Sequence, residues 1–248
     1  MNYLNYDFYI SIIPLLIING GFIAGYLIFL ALGKNKKTKG PQKKAASRLI
    51  ISSLQNYWFA ITEPCVNLLI KMGVTPNFIT IFALSISLLS GILFSQSLWG
   101  AAGWLMIAGG VFDLFDGRVA RATNKVTKGG AYLDSSLDRY SDGFILGGLA
   151  WAFRDHWLLF FVILCFIGFY TVSYAKARAE ATGVKCDVGT FQRPERIFSL
   201  GLSAIFSPIV SYYMDIPSPI LIYMVIVVLG IGTVATSVYR IVYTFKKL

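Results

Sequence analysis

Apolar residues run in long stretches at roughly 8–32, 77–97, 99–123, 130–153, 157–177, 197–213 and 218–243, with short charged connectors between them. Each is close to the about 20 residues that a helix needs to cross a bilayer core. The pattern predicts an all-α integral membrane protein with seven transmembrane helices. The first stretch has no basic leader and ends in a lysine run instead of a small-residue cleavage site, so it reads as a retained anchor helix. Residues 49–72 mix apolar and polar positions around Pro64, the pattern of a helix lying in the membrane interface.

Composition supports this reading. Of 248 residues, 56% are hydrophobic and only 14% charged, whereas soluble domains average about 45–50% apolar and 25% charged. The net charge of +10 could suggest nucleic acid, but the cations sit between hydrophobic spans and no nucleic-acid partner is expected. Alternating the spans puts the cations from Lys34 to Arg48 on one side, with Lys125, Lys128, Lys185, Arg193, Arg196, Lys246 and Lys247. The other side keeps Arg154 alone, beside the interfacial tryptophans Trp99, Trp151 and Trp157. The positive-inside rule makes the crowded side cytoplasmic, with the N-terminus outside and the C-terminus inside an inner or cytoplasmic membrane. Residues 34–48, broken by Gly40 and Pro41, read as a solvated basic loop near anionic headgroups. Cys65, Cys165 and Cys186 have no metal-ligand spacing and are expected as free thiols.

Four acids break the apolar pattern. Asp113 and Asp116 lie three residues apart in the cytoplasmic half of one span; Asp134 and Asp138 lie four apart in the cytoplasmic half of the next. Each pair shares a helix face, so two antiparallel neighbours can aim four carboxylates at one centre. Such a cluster repels itself at low dielectric unless cations neutralise it, and hard oxygen ligands suit Mg²⁺ or Mn²⁺. Two carboxylate-bridged ions serve phosphoryl displacement. Gly117 and Ala120 leave room beside the acids, Arg121 offers a guanidinium to a phosphate, and Gly130 opens the next helix. Gly147 and Gly148 read instead as helix-packing residues. His156, the single histidine, lies in an outer turn far from the acids.

Asp113-x-x-Asp116-Gly117-x-x-Ala120-Arg121, then Gly130, Asp134 and Asp138, resembles the signature of the CDP-alcohol phosphotransferase family at all eight fixed positions. The likeness covers about 57–243. It implies a six-span helical catalytic core, here preceded by one extra transmembrane helix and an interfacial helix. On that reading residues 1–48 are an anchor with its basic loop and 49–248 the catalytic domain. The resemblance further implies a homodimer in membrane lipid, a CDP-linked lipid donor and two divalent ions. Asp113, Asp116, Asp134 and Asp138 would hold metal, and Asp138 would also serve as general base on the acceptor hydroxyl. Asp113, Asp116, Gly117, Ala120, Arg121 and Gly130 would line the CDP pocket. Asn77 and Thr80, in a Pro-Asn-x-x-Thr run, would face the nucleotide or merely cap a helix.

The run Ser173-Tyr174-Ala175-Lys176-Ala177-Arg178-Ala179-Glu180, with Arg193-x-x-Arg196 after it, is similar to the branch that transfers onto inositol 1-phosphate. It implies that Ser173, Lys176, Arg193 and Arg196 hold the phosphate of a phosphorylated polyol; Arg178 and Lys185 read as ordinary cytoplasmic cations. Glycerol 3-phosphate, or a free alcohol such as inositol or serine, is the alternative acceptor. A cation carrier or channel is the remote alternative from another class, disfavoured because the acids sit near one face of the membrane.

Overall fold

The fold is described from a computed structural model, covering the backbone of residues 2–31, 48–216 and 219–248 and the side chains of 6–29, 57–216 and 219–248. The basic loop at 34–47, with the side chain of Arg48, lies outside the described residues.

Among the described residues there are eight helices and no strand: α1 (Asn2–Ala31), α2 (Arg48–Lys71), α3 (Pro76–Ser95), α4 (Trp99–Ala122), α5 (Lys128–Ala152), α6 (Leu158–Ala181), α7 (Arg193–Met214) and α8 (Ile220–Phe245). Of these, α1, α3, α6, α7 and α8 are long and apolar enough to cross a membrane. The protein is a multi-pass membrane protein. Helices α4 and α5 are as long, but they carry the acids and several cations, which dilute their apolar character.

Local signals place the helix starts. The Thr75 hydroxyl accepts the Phe78 N–H (3.3 Å) with Pro76 in the first turn, and Thr127 accepts the Gly130 N–H (2.9 Å). Both are N-caps that satisfy an otherwise orphaned donor. Helix α3 packs on α4 and α5, α4 on α7, and α6 on α8. Phe94, Leu146, Leu149, Leu158, Leu200 and Ile226 form the main core where these helices meet. A second, smaller core joins α2 to α3 and α4 through Val66, Ile79, Phe115 and Val119. The three cysteines are free.

At one end of the bundle Trp99 stacks on Phe153 (5.5 Å), and His156 lies against Phe153 and Tyr223. The His156 Nδ1 accepts the Leu158 N–H (3.3 Å), so the histidine caps a helix within an aromatic layer. The acids lie at the opposite end, where α4 and α6 finish and α5 and α7 begin.

Glycines separate into two kinds. A Cβ on Gly148 would strike the Gly91 carbonyl, and one on Gly91 the Phe144 carbonyl, so α3 and α5 touch backbone to backbone there. Gly147, expected to pack likewise, has nothing near its Cβ direction and is exposed; the helical rotation between adjacent residues turns it outward. Gly148→Ala should therefore lower stability by about 1–3 kcal/mol through overpacking. Gly147→Ala should change it by less than about 0.5 kcal/mol. Thermal unfolding in detergent compares the two, and equal melting temperatures would refute the backbone contact.

Candidate active site

Three of the four acids expected at one centre come together, and Asp138 stands outside that group. Oxygens of Asp113 and Asp116 on α4 and of Asp134 on α5 lie within 4.8 Å of one another. A divalent ion takes oxygen ligands at about 2.0–2.6 Å, so one cation fits among the three. Asp116 is buried, and the Thr80 hydroxyl donates to its Oδ2 (2.7 Å). Thr80 thus orients a carboxylate of the cluster, while capping falls to Thr75.

Asp138, one turn along α5, is held differently. Its Oδ1 is 2.9 Å from Nη1 of Arg193, and that same nitrogen donates to Asp113 Oδ2 at 2.5 Å. Arg193, the first residue of α7, therefore bridges α4 and α5 at the edge of the three-carboxylate group. The alternation of charge continues inward. Arg193 Nε is 3.8 Å from Asp142, and Arg196 Nη1 is 3.6 Å from the other Asp142 oxygen. Arg196 is almost wholly buried, with its guanidinium over the Phe169 ring at 4.3 Å. Arg193 Nε and Arg196 Nε and Nη1 lack hydrogen-bond partners there, as do Asp138 Oδ1 and Asp142 Oδ2. Buried donors without partners are costly, and two guanidiniums with free N–H groups beside a cation site are suited to an anion.

The opposite flank is open. Around Gly117 a Cβ would meet the Arg121 guanidinium alone, at 3.2 Å from Nη1, so Arg121 folds back over the glycine. Gly130 faces Thr127 and Asn77 Oδ1, the latter 3.6 Å from its Cβ direction. Neither glycine is pressed against a neighbouring helix. Ala120 is half-buried in the last turns of α4.

A family model for CDP-alcohol phosphatidyltransferases matches residues 73–239, which span the whole of this site. The chain belongs to that family. The CDP-alcohol phosphatidyltransferase has relatives at moderate identity. A phosphatidylinositol phosphate synthase of Mycobacteroides abscessus is 39% identical over 155 residues, 59% of this chain and 69% of the relative. An archaetidylinositol phosphate synthase of Pyrococcus horikoshii is 39% identical over 142 residues, 57% and 74% of the two chains. Among solved structures, the Mycobacterium tuberculosis phosphatidylinositol phosphate synthase with CDP-DAG bound gives a TM-score of 0.67 at 33% identity, covering 75% of this chain and 94% of that one. Its complex with manganese and citrate also gives 0.67, at 31% identity, covering 74% and 88%.

Of the four cations and hydroxyls expected around an acceptor phosphate, Arg193 and Arg196 stand together beside the acids. Ser173 and Lys176 are engaged elsewhere. Arg139 donates to the Ser173 hydroxyl (2.7 Å). Lys176 pairs with Asp187 (3.1 Å) and, more loosely, with Glu180 on its own helix (3.8 Å). The hydrogen bonds from Lys176 and Lys185 hold the exposed Asp187 carboxyl below its ordinary range.

Three residues of this phosphatidyltransferase escaped the sequence reading. Asp142 extends the Asp134–Asp138 ladder by another i+4 step, a signal that was legible. Arg139 lies next to Asp138 and also carries a weak 3.8 Å pair to it. Arg240 is a lone buried cation in apolar α8, and an ionisable residue in such a helix is a flag by itself. It donates to the Val172 and Val188 carbonyls (both 2.8 Å), fastening the α6–α7 connection to the bundle.

Proposed function

We propose that this enzyme moves a phosphatidyl-type group from a CDP-linked lipid to the hydroxyl of inositol 1-phosphate, releasing CMP. The observation that carries the reading is the two-part site: three carboxylates grouped as for a divalent ion, bordered by Arg193, with Arg196 behind it across Asp142, and both guanidiniums keeping N–H groups without hydrogen-bond partners. The named activities of the inositol-phosphate relatives support the choice of acceptor.

In this reaction the acceptor oxygen bonds to the β-phosphorus, the bond from that phosphorus to the bridging oxygen of CMP breaks, and the hydroxyl proton passes to a base. Asp138 is the base we assign. It stands at the border between the carboxylate group and the arginines, where a hydroxyl anchored through its phosphate would arrive. Arg193 and Arg196 bind that phosphate by charge-assisted bonds. Ser173 and Lys176 of α6 would join them by exchanging their present partners, Arg139 and Asp187, for the ligand. Gly117, Ala120, Arg121 and Gly130, with Asn77 and Thr80, give the cytidine and its phosphates a flank without helix packing. Asp113, Asp116 and Asp134 would hold a divalent cation, which neutralises the pyrophosphate charge when bound; Asp138 would join them for a second ion.

The concentration of cations at this end of the bundle supports a cytoplasmic active site, with the N-terminus outside and the C-terminus inside. A homodimer in membrane lipid is part of the same proposal. Under it residues 49–248 are the catalytic unit.

The test is CMP release by purified protein from CDP-diacylglycerol with Mg²⁺ or Mn²⁺, offered inositol 1-phosphate, glycerol 3-phosphate, serine or inositol in turn. Release with inositol 1-phosphate alone is expected, and a chelator should abolish it. Release with glycerol 3-phosphate or a free alcohol in its place would overturn the acceptor while leaving the chemistry intact.

A further inference from the structure

We infer that α1 is the outer stop of a groove for the donor's hydrocarbon chain, so that the docking of α1 limits the chain length the enzyme accepts. The inference rests on the transfer reading above and adds a role for a helix that lies outside the family match at 73–239.

A groove of about 60 Å³ lies on the seam between α4 and α7. Its walls are Ile107, Gly110, Leu114, Ile197 and Phe198, and its polar end is Asp113 with Arg193. It is thus continuous with the site that takes the donor's phosphates. A chain attached to those phosphates must leave the charged site through apolar surface, and this seam begins at its border. The two helices touch closely beneath the seam. A Cβ on Gly103 would lie 2.6 Å from the Gly201 carbonyl, and one on Gly201 would lie 2.8 Å from Ile107. The seam is therefore a shallow channel with a solid floor.

On α4, Gly100, Trp104, Ile107, Val111 and Leu114 recur at helical spacing and form one stripe. The inner part of the seam is uncovered, with Leu114, Phe198 and Leu202 all exposed. The outer part is covered by α1. Asp7 is buried, and its Oδ1 accepts the Gly100 N–H (3.0 Å) at the start of α4, where Leu98 supplies no side-chain cap. That carboxylate caps another helix and meets its positive end. Ser11 sits over Gly100, whose missing side chain lets α1 approach; the Trp104 indole N–H points to the Ser11 carbonyl (3.4 Å). Phe8 stacks on Tyr212 of α7 (4.2 Å).

Past this latch α1 leaves the seam. No residue of its most apolar stretch is fully buried. Among the described residues it is held again near its other end, where Tyr57 of α2 donates to the Phe22 carbonyl (2.9 Å) and lies over Gly25. Helix α1 is thus tied at both ends and open in the middle, facing the bilayer beside the groove. From Asp113 to Trp104 is nine residues, about 14 Å of helix. A chain running outward along the stripe ends there, against Trp104, Ser11 and Phe8.

Lipid is as apolar as the groove, so fit and not burial discriminates between chains. The experiment measures CMP release from CDP-lipids of short, medium and long saturated chains, with inositol 1-phosphate as acceptor. Trp104→Ala removes the stop and Asp7→Asn loosens the latch. Each should raise kcat/KM for the long chain relative to the short one by about 5-fold or more over the parent enzyme, with the acceptor KM unchanged. An unaltered chain-length profile in both variants, each with a cooperative melt, would overturn the inference and leave α1 as a plain anchor. A second readout is independent of turnover: a CDP-lipid carrying a photoreactive group at its chain end should label α1 near Ser11 or α4 near Trp104. Labelling confined to α3 and α5 would overturn the groove even if the transfer activity stands. Labelling at Ser11 or Trp104 without CMP release would uphold the groove and sink the transfer reading.

Discussion

Asp138→Asn should cut CMP release by about 10²–10⁴-fold, the range that a positioned general base contributes, while binding of the CDP-linked donor stays within a few-fold of the parent. The argument is geometric. Asp138 stands apart from the three-oxygen group of Asp113, Asp116 and Asp134, and its contacts are to Arg193 and, weakly, Arg139. Asparagine keeps the shape and loses the proton-accepting charge. Asp113→Asn is the companion variant: that residue belongs to the cation group and also accepts from Arg193, so it should lose donor binding and turnover together. Single-turnover CMP release and a donor-binding isotherm separate the two cases. Full activity in Asp138→Asn would remove the base assignment.

Arg196→Ala should produce the largest combined effect on stability and acceptor recognition. The side chain is nearly wholly buried between Phe169 and Asp142. Removing one partner of a buried ion pair leaves an uncompensated charge and costs about 3–5 kcal/mol. The remaining 3.8 Å approach of Arg193 to Asp142 should place the loss toward the lower end. Losing a charge-assisted contact to the acceptor phosphate should raise its KM about 10–100-fold, with little change in the donor KM. The double variant Arg196→Met with Asp142→Asn tells the two roles apart. Deleting both charges should recover much of the lost melting temperature and none of the lost acceptor affinity. If acceptor KM recovers along with stability, Arg196 is a structural cation and the phosphate binds elsewhere.

Much of the site was legible because its spacing is local. Asp113 with Asp116, and Asp134 with Asp138, share faces by helix geometry alone, and Thr75-Pro76 and Thr127 declare where the neighbouring helices begin. Asp142 was equally legible as the next step of the same ladder, and Arg240 as an ionisable residue in an apolar helix. The partners of Arg139 and Arg240 were not, since they lie 34, 52 and 68 residues away. Gly147 and Gly148 show the same limit: adjacent in sequence, they differ in whether another backbone lies within reach, and only the α3–α5 crossing decides that. Asp7 is the sharpest case. A carboxylate near the start of an apolar helix reads as an isolated polar residue, yet it is the cap of α4, 93 positions further on.

By itself, then, the sequence determined the helices, their membrane character, the four acids and the family they identify, because hydrophobic period and i+3 or i+4 spacing act within one helix. The tertiary structure alone decided the partners. It put Arg193 across Asp113 and Asp138, turned Lys176 toward Asp187, and latched α1 over the end of the α4–α7 seam remote from the acids. Those outcomes follow from where long side chains find opposite charge or an unsatisfied backbone group once helices distant in sequence pack together. No local rule specifies that meeting, which depends on which small residues let two backbones approach.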